Sequence, residues 1–181
     1  MILKSFFKNL KKDFNNKSFD GFEFNSKKIK KNYIFFAIQG SKFNGNNFIN
    51  DAIKRGARII VSNKFKTGIN KGVFYIKVSD PRLALSSFAN KYYNKKPNNI
   101  IAVTGTNGKS SIVNFYYQIL KLNKKRVASI GTLGVKSTGV SLKLNNTTVD
   151  AITINKILAN LKKKKIENVI LEASSHGLHQ K

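Results

Sequence analysis

The stretch Ile101-Ala-Val-Thr-Gly-Thr-Asn-Gly-Lys-Ser-Ser111 joins an apolar run to a glycine-rich turn that ends in Lys-Ser and then opens an apolar-periodic segment. A chain builds a phosphate cradle in this way. Gly105 and Gly108 allow a tight turn, so that successive N–H groups and the start of the next helix point at one anion. Lys109 adds a mobile positive charge suited to β- and γ-phosphates, and the Ser110 hydroxyl suits a Mg²⁺ ion. The strict P-loop spacing asks for glycine where Val103 stands, but the strand, loop, helix context is met. Gly105, Thr106, Asn107, Gly108, Lys109, Ser110 and Ser111 are therefore the candidate nucleotide-binding set, against the alternative that the glycines only close a strand-to-helix turn.

Upstream, 32–38 reads as a strand and Phe48, Ile49, Ala52 and Ile53 as a helical face before Gly56. Strands follow at 59–61 and 73–78, with Gly68 and Gly72 expected in the turn between them. Asp80-Pro81 pairs an N-cap with a first-turn proline, and the helix it opens should stop before Pro97. The polar connector Lys95-Lys-Pro-Asn-Asn99 is the best boundary, dividing an α/β unit over 1–97 from a second unit over 98–181. That second unit reads as a strand at 100–103, the glycine loop, a helix to about Leu122 and a strand at 126–130, an order that predicts parallel pairing. Asp150 caps a further helix and 168–171 forms a third strand. Ligands in such sheets sit at the carboxyl ends of strands, so 105–110 and 172–176 are expected to share one crevice.

The 181 residues are 41% hydrophobic, which supports a buried core, and no apolar run approaches the length of a membrane span. Leu3, Phe6, Phe7 and Leu10 fall at helical spacing; a terminal helix packed on the body is the favoured reading over one lying on a membrane. The absence of cysteine excludes a disulfide framework and thiolate metal sites and fits the cytoplasm. The formal charge of +26 invites a nucleic-acid reading. Against it, only Arg55, Arg58, Arg82 and Arg126 are arginine, and the lysines are spread along the chain as solvated faces. No specific nucleic acid and no membrane insertion are therefore expected.

Glu172 follows an apolar strand and lies where a Mg²⁺ bridging phosphates needs an oxygen ligand; an exposed strand-end carboxylate is the equal alternative. His176 and His179 make a weak zinc signal, and His176 reads better as a loop residue shaping the crevice. Ser174 and Ser175 have no obvious pairing of base and orienter around them and suit polar ligand contact rather than nucleophilic attack. Asn145-Asn-Thr-Thr148 is first of all a turn, with a substrate-holding loop as the alternative.

Taken together, Asn25-Ser-Lys27, Ile34-Phe-Phe-Ala-Ile-Gln-Gly40, Phe43-Asn-Gly45, Asp51-Ala-Ile-Lys-Arg-Gly-Ala57, Val103-Thr-Gly-Thr-Asn-Gly-Lys-Ser110, Gly131-Thr-Leu-Gly134, Asn146-Thr-Thr148 and Glu172-Ala-Ser-Ser-His-Gly-Leu178 resemble the Mur ligases of peptidoglycan synthesis. The last three motifs are similar to the branch that adds the third stem-peptide residue to UDP-N-acetylmuramoyl-L-alanyl-D-glutamate. The resemblance implies an α/β fold in which a small N-terminal substrate-binding domain precedes the first βαβ part of a P-loop-type, parallel-sheet ATPase domain. A C-terminal domain would lie beyond Lys181, so the piece alone is not expected to ligate.

By the same resemblance the reaction uses ATP and Mg²⁺, with Lys109 and Glu172 catalytic and Ser110 and Glu172 on the metal. Phe24, Ser26, Ser41, Lys42 and Phe43 would meet the UDP part of the substrate. Asn146, Thr147, Thr148, Ser174 and Gln180 would meet the muramoyl-peptide part. The implied substrates are the UDP-muramoyl-dipeptide and an amino acid, handled by a cytoplasmic monomer. Asn25 and Lys27 replace the usual Asp and Arg around Ser26, Ser41 replaces a frequent His, and Val149 stands where many members have Pro. A ligase of the folylpolyglutamate synthase type and a basic nucleic-acid-binding module are the alternatives.

Overall fold

The computed structural model describes residues 2–7, 10, 16–40, 43–132, 134–137, 140–142 and 149–173. The chain divides into two compact units, Met1–Lys91 and Tyr92–Lys181. Among the described residues no helix is long and apolar enough to cross a membrane.

The first unit is a five-stranded sheet in the order β1-β2-β3-β5-β4. Its strands are β1 (Gly21–Glu23), β2 (Tyr33–Phe36), β3 (Ala57–Ser62), β4 (Gly68–Asn70) and β5 (Val73–Lys77). All neighbours pair in parallel except β4, which runs antiparallel to β5. Burial of both sheet faces explains the apolar runs of β2 and β3, since alternate residues of a strand point to opposite sides. Phe35 and Ile60 pack with Ile49 and Ala52 of helix α1 (Ile49–Lys54). Phe36 joins Phe22, Phe19 and Phe6 around Phe88 of helix α2 (Pro81–Tyr92), whose ring lies 4.3 to 5.5 Å from theirs. Asp80 caps α2 as its sequence implies, accepting from the amides of Arg82 at 2.9 Å and Leu83 at 3.1 Å.

Two expectations are corrected here, and one strand goes beyond them. Among the described residues the start of the chain forms a 3-10 turn at Leu3–Ser5 in place of the helix that the spacing of Leu3, Phe6 and Phe7 suggests. The Leu3 N–H donates to the Lys17 carbonyl, Ile2 bridges to Ser18, and Phe6 and Phe7 turn onto Phe88; aromatic burial outweighs the helical spacing. Gly68 belongs to β4 and not to a turn, because the reversal is made by Lys71 and Gly72 alone, both at positive φ (47° and 76°) as a two-residue hairpin turn requires. β1 is a strand that its Gly-Phe-Glu sequence does not announce. It forms because Gly21 leaves room for the Tyr33 ring, 2.5 Å from where a Cβ would stand.

The second unit is a sheet in the order β6-β10-β7-β8-β9. Its parts are β6 (Asn99–Val103), helix α3 (Lys109–Leu122), β7 (Val127–Gly131), β8 (Gly134–Ser137), β9 (Val140–Leu142), helix α4 (Ala151–Lys163) and β10 (Asn168–Glu172). β6 and β7 are parallel but do not pair with each other, because β10 lies between them and pairs in parallel with both. β8 and β9 extend the sheet as an antiparallel ribbon. Asp150 caps α4 through the amides of Ile152 and Thr153, both at 2.9 Å. Ile157, Leu158 and Leu161 of α4 then pack on Ala128, Ile130, Val135 and Val169.

The other side is less covered. On α3 only Val113 is buried, while Ile112, Phe115, Ile119 and Leu122 fall on one helical face and are 52% to 81% exposed. Ile100 and Ile101 of β6 are also exposed. An exposed apolar stripe along a helix is a surface suited to contact with another segment or partner. Replacing Phe115 and Ile119 by Lys should reduce self-association of the 181-residue chain in light scattering without changing its far-UV dichroism. Replacing Phe88 by Ala should destabilise the first unit by about 3–5 kcal/mol in urea unfolding, since it empties a fully buried aromatic site.

Candidate nucleotide site

The glycine loop hangs from the carboxyl end of β6, where Val103 gives way to exposed backbone from Thr104 to Gly108. Gly105 has φ +148° and Gly108 +78°, conformations that L side chains rarely adopt. Gly108 is also the N-cap of α3 and brings no side chain to its first turn. The first-turn amides therefore face outward with the positive end of a 14-residue helix behind them. The Lys109 ammonium folds back onto the loop, donating to the carbonyls of Gly105 and Thr106. Ser110 and Ser111 sit exposed in the first turn.

The neighbouring strand end supplies the carboxylate. The Ala173 N–H donates to the Val103 carbonyl at 2.9 Å, and Glu172 is in register with Val103, so β10 ends level with the start of the loop. On its other side the Glu172 side chain lies across the end of β7. Its Oε2 accepts from the Thr132 hydroxyl at 2.6 Å and from the Thr132 N–H at 3.3 Å. The sheet thus brings 103–111 and 172–173 to one edge, as expected of the shared crevice. Residues 174–176, the rest of that expectation, lie outside the described residues, as do Gln180, His176 and His179.

The donor set suits a magnesium nucleotide. Outward amides and an ammonium match phosphate oxygens, and a serine hydroxyl with a carboxylate are the hard oxygen ligands that Mg²⁺ prefers. Among the described residues no three His, Cys, Asp or Glu side chains converge to form a denser metal site.

In the first unit, Phe24 directly follows β1 and is partly exposed, while Phe43 is 70% exposed and meets Phe48 edge-on at 6.4 Å. Ser26 is buried, and the Asp51 carboxyl is held below its usual range, first by a hydrogen bond from Ser26 and then by the Arg55 guanidinium. A hydroxyl that donates to Asp51 can still accept from a ligand. Ser41, Lys42, Asn146, Thr147, Thr148 and Ser174 lie outside the described residues.

Sequence reasoning passed over the groups that brace these loops. The Arg82 Nη2 donates to the Gln39 carbonyl at 3.0 Å, and Asn46 accepts from the Ser62 hydroxyl at 2.9 Å. Long-range partners of this kind leave no local pattern. Gly45 was visible as a turn glycine but not as a packing contact: a Cβ there would stand 2.5 Å from the backbone N and O of Ile38.

A parallel sheet whose strand ends carry a glycine loop, an open helix N-terminus and an acidic side chain defines the P-loop type of α/β domain. The model of the Mur ligase middle domain matches residues 103–181, and that of the Mur ligase family catalytic domain matches residues 19–93. The chain belongs to the Mur ligase family. It is 44% identical to UDP-N-acetylmuramoyl-L-alanyl-D-glutamate--2,6-diaminopimelate ligase of Rickettsia felis over 95% of this chain and 33% of that protein. With the ligase of the same name from Zymomonas mobilis it shares 40% identity over 88% of this chain and 32% of that protein. A solved structure of a ligase of that name superposes with a TM-score of 0.79 at 26% identity, covering 99% of this chain and 37% of that one. The MurF ligase of Thermotoga maritima in complex with ADP shares the fold, with a TM-score of 0.56 at 23% identity over 85% of this chain and 32% of that one. The chain spans about a third of the length of the curated relatives it matches.

Gly45→Ala should lower the stability of the first unit by about 1–3 kcal/mol, the cost of overpacking against backbone, read as a lower urea midpoint at unchanged slope.

Proposed function

We propose that the protein carrying this chain is the ATP-dependent amide ligase that adds the third amino acid to UDP-N-acetylmuramoyl-L-alanyl-D-glutamate in the cytoplasm. The observation that carries this reading is the glycine loop opening α3 beside Glu172, in a chain 44% identical to a ligase of that specificity. The relatives' names support diaminopimelate as the incoming amino acid.

In this reading the γ-phosphoryl group of ATP passes to the D-glutamate carboxylate and ADP leaves. The amine of the amino acid then attacks the acyl phosphate, and inorganic phosphate departs as the amide forms. Phosphoryl transfer asks the protein for alignment and charge neutralisation more than for covalent help. The loop amides and the α3 N-terminus hold the phosphates. Lys109, bound to neutral carbonyls in the free loop, exchanges them for charged phosphate oxygens, which make stronger acceptors. Ser110 and Glu172 would hold Mg²⁺, which supplies further neutralisation of the phosphate charge. Phe24, Ser26, Ser41, Lys42 and Phe43 bind the UDP part, with Asn146, Thr147, Thr148, Ser174 and Gln180 on the muramoyl peptide.

Lys109→Ala in the complete protein should lower kcat by about 100- to 1,000-fold, the loss typical of one donor aimed at developing charge. The assay is phosphate release that requires both UDP-muramoyl-dipeptide and diaminopimelate. Undiminished release by this variant would refute the assignment.

A further inference from the structure

We propose that Thr132, with Gly131, is the positioning element that aims the Glu172 carboxylate at its metal ion; this rests on the ligase reading above. Glu172 ends β10 and is one residue beyond the last β10 pairing with β7, Leu171 with Ile130, so its side chain has no strand partner to fix it on that side. Two features of the β7 end fix it instead. At Gly131 a Cβ would lie 2.5 Å from both Cδ and Oε1 of Glu172, so the carboxyl group occupies the space that any other residue would fill. Thr132 then takes up one oxygen: its hydroxyl and its N–H both donate to Oε2, at 2.6 and 3.3 Å.

The asymmetry between the two oxygens is what makes this a positioning device. Oε2 is engaged twice, while Oε1 has no hydrogen-bond partner among the described residues. A free glutamate side chain carries rotamer freedom that metal binding must freeze; here that ordering is already done, and one oxygen is left for coordination. The hydroxyl bond to a charged oxygen is of the short, charge-assisted kind, so it also fixes which oxygen is held by Thr132 and which is not.

The test uses the complete protein loaded with ADP and titrated with Mn²⁺ as a spin-resonance probe. Thr132→Val should weaken Mn²⁺ binding about 10- to 100-fold, the usual effect of removing an outer-shell partner of a metal ligand. Thr132→Ser, which keeps the hydroxyl, should restore it, and KM for the UDP substrate should stay unchanged in both. Gly131→Ala should weaken Mn²⁺ binding as well, by displacing the carboxylate. Unaltered Mn²⁺ affinity in Thr132→Val, alongside a loss in Glu172→Gln, overturns the positioning role and leaves the ligase reading intact. A drop in melting temperature with no change in metal affinity overturns it too. Failure of the wild-type protein to bind ADP with Mn²⁺ overturns the ligase reading itself.

Discussion

The insertion of β10 between β6 and β7 is the constraint on which the site depends. Sequence separates Val103 from Glu172 by most of the second unit, yet the parallel register sets them side by side and carries the pairing one bond further, from the Ala173 N–H to the Val103 carbonyl. Parallel strands end at the same edge, so the glycine loop, the β7 end and the acidic residue must converge there once that register forms. A slip of one residue would turn Glu172 to the opposite face of the sheet. Burial of Val169 and Ile170 on the two faces of β10 penalises such a slip, because either would exchange its apolar surroundings.

The same logic explains what could be read in advance. Asp80 and Asp150 act through the amides two and three residues ahead, so their roles were written in local order. Gly105 and Gly108 were legible for the same reason, each answering to its own φ. The central position of β10 was not, since no local signal in Asn168–Glu172 says which two strands will flank it. Gly131 shows the difference most sharply. Its motif was noticed in the sequence, but the need for glycine comes from a carboxyl group forty-one residues away in the chain, and only the fold brings them together. At the N-terminus the error ran the other way. A helical spacing of Leu3, Phe6 and Phe7 was real, yet Phe88 offered more buried aromatic contact than a short helix could provide.

Charge shapes this molecule less than its composition suggests. With 34 basic residues against 8 acidic ones, most lysines have no acid to pair with. Two ion pairs among the described residues are Arg55 with Asp51, exposed, and Lys162 with Glu167, half-buried at the surface; pairs in contact with water contribute about 0–1 kcal/mol. Stability therefore rests on the aromatic and aliphatic cores of the two units, and the lysine excess is carried as hydrated surface that salt screens within about 8 Å. Anion selectivity cannot come from that diffuse field, which treats every polyanion alike. In the proposed function it comes from the few donors whose direction is fixed: the first-turn amides of α3, beginning at a glycine that cannot cap them, and Lys109, tethered to its own loop. A phosphate chain gains from aligned donors that a scattered lysine surface does not offer, so a site of the proposed kind would discriminate by geometry within a field that merely attracts.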